Sequence, residues 1–465
     1  MPKTAESDAS KCKRIACQFP QEFKVTPRNE LFCVLCECPV KYAKQFMIDS
    51  HRKSAKHSTK LQRTTSSSSV PTSSKHESQT FLNFKPDLAK HVTTAFLAAD
   101  IPLHKLEHQA IRDLFDFMGH HCPSESSCRQ HVPKLFQLEQ QKIFRYVNGE
   151  KIFIMVDETE ISGRKFMNIL VGILEKPEVT YLYDCRQLEG NINHQTVCHA
   201  IDDVVKDLNV HRNNFLLLLS DAARYMTLAG KTLKSMYPSL FHVACMAHLL
   251  HNCALLVKSK YEAVDSLISS IKAATIKSGD RRLLFASIGS PPKPVVTRWG
   301  TWLNAAFWYA DHFSDVKQIV LGFEDDGLLV SRAKSAVSST VIVDQLVDVA
   351  TYRPLHHLME RCEGTNYNIR QVIQDVNSLD FGIDPCEIKS YINLRLSKND
   401  IIEIVNLARD DISPAEYNLL LCAQSTTAAI ERSFSQLKNL LRFNRNFSPA
   451  NIKYYAIMNY NASNN

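Results

Sequence analysis

The chain has 465 residues, 45% of them hydrophobic, and a formal net charge of +7. That length can bury a sizeable core divided into roughly two to four domains, which excludes a peptide-like module. Residues 1–63 hold 13 Lys and Arg against 6 Asp and Glu, so the whole positive excess lies there and the rest of the chain balances. A local field of this kind favours a polyanion, DNA or RNA, through counterion release, while charge alone fits a solvated tail equally well. No run approaches the roughly 18 apolar residues of a membrane span, the longest stretches being short ones such as LLLLS at 216–220. With the polar start MPKTAESDASKCKR, this leads to the expectation of a chain that neither spans a membrane nor is secreted. Fourteen scattered cysteines suit a reducing compartment, where thiols serve as core residues or metal ligands. KCKR at 11–14 is a weak signal for nuclear import.

In chain order, the first chemical signal is FCVLCECPVKYAKQFMIDSHRKSAKH. It spaces Cys33, Cys36, His51 and His57 as C-x2-C-x14-H-x5-H. Two thiolates on a tight knuckle and two imidazoles on a following helix can close a tetrahedron around zinc, and so small a module needs such a staple to fold. Cys38 competes with Cys36, at a less usual spacing. Lys41, Lys44, Arg52, Lys53 and Lys56 surround the ligands as candidate phosphate contacts. The plain alternative is two core cysteines and two exposed histidines.

Residues 64–78, TTSSSSVPTSSKHES, form a Ser/Thr-rich linker too poor in apolar residues for a core. A small helical segment follows from Phe81 to about Phe136, its apolar spacing broken at Ile101-Pro102 and Cys122-Pro123. It contains His104, His108, His120, His121 and His131 with Cys122 and Cys128, in no standard metal spacing, which favours a surface role. KIFIMVDET (151–159), FMNILVGIL (166–174) and VTYLYDCR (179–186) read as consecutive antiparallel strands. A helix over about 194–208 leads to the buried strand of NNFLLLLSDAARYM, ending at Asp221, then to a helix and FHVACMAHLLHNCALLV. Strands followed by strand–helix alternation predict a mixed α/β sheet. From about 249 to 420 the pattern is helical, and there is no internal repeat.

Asp157 and Asp221 stand at predicted strand ends, where carboxylates on neighbouring strands can converge into a hard-oxygen cage for Mg²⁺. Glu431, in AAIERSFSQLK, sits among apolar residues at helical spacing, a costly place for a charge unless it coordinates a cation. The plain readings are a strand-terminating Asp157, a helix-capping Asp221 and a Glu431 paired with a nearby Arg.

Two resemblances bear on these residues. The finger is similar to BED-type zinc fingers of DNA-binding proteins and transposases. Its spacing, HRKSAKH and the following FLAADIPLHKLEHQAIRDLF resemble the CGG triplet-repeat-binding protein family, over about residues 25–135. That family implies a nuclear, DNA-binding regulator of transcription. Residues 120–465 resemble hAT-superfamily transposases and their domesticated relatives. Asp157 matches their first-strand Asp, Asp221 the Asp before a helix, and Glu431 the Glu of ERxFS, here ERSFS. Cys245 and His248 fit the C-x2-H motif, Arg298 and Trp299 in TRWGTW fit the Arg-Trp pair of the insertion, and FNRNFSPANIKYYAIMNYN resembles the family's C-terminal end.

The resemblance implies a ribonuclease-H-like α/β core interrupted by a large all-helical insertion. The expected division is a finger at 1–63, the linker, a helical segment at 79–145, core at 146–248, insertion at 249–420 and a C-terminal core region at 421–465. It also implies a DDE triad of Asp157, Asp221 and Glu431 holding two Mg²⁺ or Mn²⁺ ions for phosphodiester cleavage and strand transfer, and a homo-oligomer acting on double-stranded DNA. An exposed Trp299 could stack on an unpaired base while Arg298 meets phosphate, or Trp299 could be plain core. Cys245 and His248, lacking two further ligands, read as a satisfied core pair. Two rival readings are a domesticated, catalytically silent transcription regulator and a helical half serving chiefly for dimerisation.

Overall fold

The computed structural model describes residues 8–20, 22–26, 30–36, 38–42, 44–54, 56–58, 87–190, 192–295, 300–324, 327–364, 367–381, 386–442 and 447–462. The linker 64–78 and the Arg298–Trp299 pair lie outside the described residues. The chain divides into two compact units, Met1–Phe84 and Lys85–Asn465.

The first unit opens with α1 (Asp8–Gln18), which holds KCKR. A three-stranded antiparallel sheet follows, formed by β1 (Phe23–Val25), β2 (Leu31–Cys33) and β3 (Cys38–Pro39), and then α2 (Gln45–Arg52). The polar start of the chain gave no expectation of α1. Among its described residues Cys12 and Ile15, three positions apart, are buried with Phe23, Leu31, Cys33, Cys36, Val40 and Ile48, and Ala16 packs partly buried beside them. The eight buried hydrophobic side chains among the described residues make too small a core to stand without a staple.

The second unit begins with α3 (Leu88–Ala98), α4 (Gln109–Phe117) and α5 (Glu125–Val147). Asp87 accepts the Lys90 N–H at 3.2 Å and Ser124 the Ser127 N–H at 3.1 Å, so each longer helix starts on a side-chain cap. Breaks fall near Pro102 and Pro123, where the residue before each proline avoids the helical region. The helices share their core with the sheet: Val92, Leu97, Val132 and Leu135 join Phe153, Leu170 and Leu217 in one cluster.

That sheet comprises β4 (Ile152–Ile161), β5 (Arg164–Ile173), β6 (Tyr181–Leu188), β7 (Phe215–Ser220) and β8 (Phe241–Ala244), in the order β6-β5-β4-β7-β8. β4 and β5 join through Ser162 and Gly163, both at positive φ (+53° and +75°), the two-residue hairpin whose twist matches the strands. β5 and β6 are antiparallel, whereas β7 runs parallel to β4 and β8 parallel to β7. The parallel connections run through α6 (His194–Asp207) and α7 (Arg224–Met236). The unit is therefore mixed α/β, with both sheet faces covered. Phe153, Met155, Leu217 and Leu219 enter one core, and Ile154, Val156 and Leu218 the other. With side chains alternating along a strand, Asp157 and Asp221 belong to the first face.

Helices fill the chain after β8. They are α8 (Met246–Lys260), α9 (Glu262–Ile276), α10 (Gly279–Leu283), α11 (Thr301–Leu321), α12 (Leu328–Val337), α13 (Ile342–Ala350), α14 (Arg353–Glu363), α15 (Ile369–Asn377), α16 (Cys386–Leu396), α17 (Ile401–Val405) and α18 (Pro414–Cys422). The chain then returns to the sheet. α19 (Ala428–Leu441) packs on β4 and β5, and α20 (Pro449–Ala462) lies along β6. Asn461 accepts the Leu182 N–H at 2.8 Å and donates to the Leu182 carbonyl at 3.1 Å, so its amide satisfies both backbone groups of one residue on this edge strand. Asn459 donates to the last carbonyls of α3, Leu97 (3.3 Å) and Ala98 (3.0 Å). Among the described residues no helix is long and apolar enough to cross a membrane.

Candidate functional site

Two groups of potential metal ligands form among the described residues. The first is Cys33, Cys36, His51 and His57, with one ligand atom from each within 4.8 Å of all the others. β2 delivers Cys33, and the turn after it brings back Cys36, whose N–H donates to the Cys33 sulfur at 3.2 Å. α2 carries His51, and a short helical segment beyond it, at 56–58, carries His57. His57 Nδ1 lies 3.4 Å from Cys33 Sγ and 3.5 Å from Cys36 Sγ. Metal–sulfur and metal–nitrogen bonds of about 2.3 and 2.0 Å give a tetrahedral edge of roughly 3.5 Å, so the spacing fits. His51 Nε2 is buried without a hydrogen-bond partner, which a metal ion would remedy. The four residues can hold a metal, and two thiolates with two imidazoles suit structural zinc. Cys38, half-buried on β3, stands outside the group.

Burial pushes the Cys33 thiol above its usual pKa, and burial followed by the neighbouring His57 ring pulls His51 below its own. Behind the group lies Glu22, which the sequence reading passed over. Its carboxylate receives both arms of the Arg52 guanidinium (2.8 and 2.9 Å) and stands 2.9 Å from His57 Nε2. Arg52's hydrogen bond is the main reason the Glu22 carboxyl is held below the usual range. The same guanidinium lies 3.8 Å from the centre of the Phe19 ring. Of the five basic candidates, Arg52 is thus committed internally, while Lys41, Lys44, Lys53 and Lys56 are exposed.

The second group is Asp157, His248 and Glu431, again within 4.8 Å atom to atom. Asp157 lies inside the central strand, 6% exposed, and not at a strand end as its sequence suggests, because β4 runs on to Ile161 in its pairing with β5. The β4–β7 register pairs Met155 with Leu219, so continuing it by two residues sets Asp221 opposite Asp157. His248 lies in the first turn of α8, directly after β8, and Glu431 in the first turn of α19. One backbone knot brings these segments together. Cys245 N–H donates to the Ser220 carbonyl (2.8 Å), Met246 N–H to the Ser425 carbonyl (3.0 Å) and Thr427 N–H to Cys245 Sγ (3.3 Å). Asn168, the cross-strand partner of Asp157, donates to Ser433 Oγ at 2.8 Å and pins α19 above that strand. Asp221, His248 and Glu431 each follow within four residues of a member of the knot.

Burial, then the Asp221 charge, pushes the Asp157 carboxyl up to about 7, and His248 only partly opposes this. Burial alone would depress His248, but the hydrogen bond and charge of Cys245, with Asp157 and Asp221, carry it up to about 9. Cys245 is the counterpart: burial raises the thiol, yet hydrogen bonds from His248 and Thr427 bring it below its usual value. Burial of the surrounding site likewise raises Glu431, although its side chain reaches solvent. Glu431 opens onto a cavity of about 590 Å³ lined by Gly300, Thr301, His356, Glu360 and Arg432.

Of the residues anticipated from sequence, Asp157 and Glu431 come together, and His248 joins them. Asp221 is not in that group. Its Oδ1 accepts the Ala223 N–H at 3.1 Å just before α7, so it also performs the helix-start role weighed for it. Cys245 and His248 do contact each other, but the pair faces the carboxylates. A histidine four residues beyond a buried strand end, where parallel sheets collect ligands, was the available signal. In the His-rich segment 104–131, Cys122 and Cys128 donate to the separate carbonyls of Leu106 and Ala89, and no metal-ligand group forms among the described residues. No family model matches the chain, and neither does any curated protein.

Proposed function

We propose that this is a nuclear DNA-binding protein of hAT-transposase descent, with a ribonuclease-H-like core that cleaves and joins DNA strands with divalent metal. The observation that carries the reading is the meeting of Asp157 and Glu431, from opposite ends of the second unit, on one sheet face with Asp221 at the neighbouring strand end. The layout agrees with what the resemblance implied: an Asp on the first strand, an Asp before a helix, intervening helices, and a Glu on the helix that returns to the sheet.

In this reading Asp157, Asp221 and Glu431 hold Mg²⁺ or Mn²⁺. Bound there, the cation supplies the Lewis-acid charge that activates a water or a DNA 3′-hydroxyl and stabilises the leaving oxygen. The donor chemistry fits, since carboxylates suit hard cations and the neighbouring imidazole extends the fit to Mn²⁺. The chain's own contributions are to hold the carboxylates on a rigid strand, pin Glu431 over it through Ser433 and Asn168, and open the group to a cleft. The first unit, with zinc at Cys33, Cys36, His51 and His57, would bind double-stranded DNA through Lys41, Lys44, Lys53 and Lys56, a salt-sensitive contact. Joining two ends calls for a homo-oligomer.

One observation favours the silent transcription regulator instead. Asp221 stands outside the 4.8 Å group and already serves the start of α7. The deciding experiment incubates the whole protein with nicked or hairpin-forming DNA and Mn²⁺, beside Asp157→Asn and Asp221→Asn. Metal-dependent cleavage by the wild type, lost in both variants, is expected. Equal DNA retention by all three with no cleavage by any would overturn the catalytic reading and leave the regulator.

A further inference from the structure

We propose that Glu22 is a positioning residue for the metal group of the first unit. It fixes His57 as the Nε2–H tautomer, so that this histidine binds through Nδ1 while His51 binds through Nε2. The inference rests on Cys33, Cys36, His51 and His57 holding zinc.

The two nitrogens of His57 have separate surroundings. Nδ1 faces the sulfurs of Cys33 and Cys36 at 3.4 and 3.5 Å, whereas Nε2 is 2.9 Å from Glu22 Oε2 on the far side of the ring. An imidazole whose Nε2–H donates to a carboxylate presents Nδ1 as its only lone pair, and the carboxylate makes that nitrogen a better donor. The ring is fully buried, so water cannot substitute for the carboxylate.

Glu22 is itself held from three sides. The Val34 N–H, within the Cys33–Cys36 knuckle, donates to the Glu22 carbonyl at 2.8 Å, tying residue 22 to the ligands. Arg52 grips the carboxylate with Nε at 2.8 Å and Nη2 at 2.9 Å, so the Glu22 side chain cannot rotate away from His57 without losing both bonds. Phe23, the next residue, stacks on His57 with centroids 6.0 Å apart and planes inclined by 19°. Among the described residues no carboxylate bonds the His51 ring, and its buried, unpartnered Nε2 is left to meet the metal.

The test uses the full-length protein. Zinc content of the wild type is measured first: absence of zinc would sink the metal reading itself. In the zinc-loaded wild type labelled with ¹⁵N-histidine, with His57→Cys to assign the signals, His57 should show a proton on Nε2 and metal on Nδ1, and His51 metal on Nε2. Zinc bound to His57 through Nε2 would overturn the proposal while leaving the metal reading intact. In chelator competition, Glu22→Ala should weaken zinc binding by about 10- to 100-fold. Glu22→Gln, whose amide oxygen still accepts from Nε2, should recover most of that loss and keep the Nδ1 signature. Zinc affinity unchanged in Glu22→Ala would equally end the proposal.

Discussion

The two metal-type groups differ in how the chain assembles them. Cys33, Cys36, His51 and His57 come from one short stretch, and their second layer, Glu22 and Arg52, is almost as local. Asp157, His248 and Glu431 come from a strand, a helix beyond the last strand, and a helix that returns after the whole helical region. In the small unit the fold depends on the ligands. In the large unit the ligands depend on the fold.

That contrast is tested most severely by removing one ligand of the first group. Cys33→Ser should abolish zinc binding and unfold the first unit, because the small hydrophobic core around Phe23 and Leu31 cannot replace the lost metal. The thermal transition of the Lys85–Asn465 unit should stay where it is. Metal analysis with scanning calorimetry checks both halves, and a first unit that keeps its dispersed NMR signals without zinc would break the comparison.

The reverse experiment perturbs the large unit alone. Gly230, on α7, faces His242, and a Cβ there would fall 2.1 Å from His242 Nδ1. The ring cannot easily yield, since its Nε2 is 2.8 Å from Ser220 Oγ and the residue's amide donates to Asp400 at 2.6 Å. Gly230→Ala should therefore cost about 3 kcal/mol in urea unfolding of the second unit, an overpacking penalty, with zinc content unchanged. Ser220 immediately precedes Asp221, so Mn²⁺ binding should weaken as well.

What the sequence revealed follows the same division. The four-ligand spacing was legible because all its geometry lies within one short stretch, from the end of β2 to the helical segment just beyond α2. Asp157 and Asp221 were legible because apolar runs ended at them and strand parity places both on one face. His248 was visible as a motif residue, but its place beside the carboxylates was not, because it depends on Cys245 meeting both Ser220 and Thr427, contacts with no local trace. Glu22 was missed since a lone acid 35 residues before its histidine has no pattern. Helix α1 was missed because two buried residues make too thin a stripe. The MNYN ending was visible as a motif, but its work, Asn459 on α3 and Asn461 on β6, requires the edge strand to be known first.

A smaller effect separates the groups by pH. Asp157 is raised from 3.8 to about 7, so the folded second unit holds a proton that the unfolded chain releases near pH 4. Stability from this residue is complete below the unfolded value and is lost as pH rises through about 7, a change of roughly 4 kcal/mol at most. A cation that replaces the proton restores it. The rise in melting temperature produced by Mn²⁺ should therefore grow from pH 5 to pH 8 in the second unit. An Mn²⁺ effect independent of pH would mean that the metal does not bind at Asp157.

The finest test concerns Asp221, whose charge is the second cause of the Asp157 shift after burial. Asp221→Asn keeps an oxygen for the Ala223 N–H, so the start of α7 survives while the repulsion disappears. Without metal at pH 8, the variant should be more stable than the wild type by about 1 kcal/mol, the worth of a somewhat less than tenfold change in proton affinity. With saturating Mn²⁺ the order should reverse, because the carboxylate that repels Asp157 is also one that would attract the cation. Melting curves of both proteins with and without Mn²⁺ read this crossing. If the variant is more stable in both conditions, Asp221 serves only the helix start and the cation, if any, is held by Asp157, Glu431 and His248 alone.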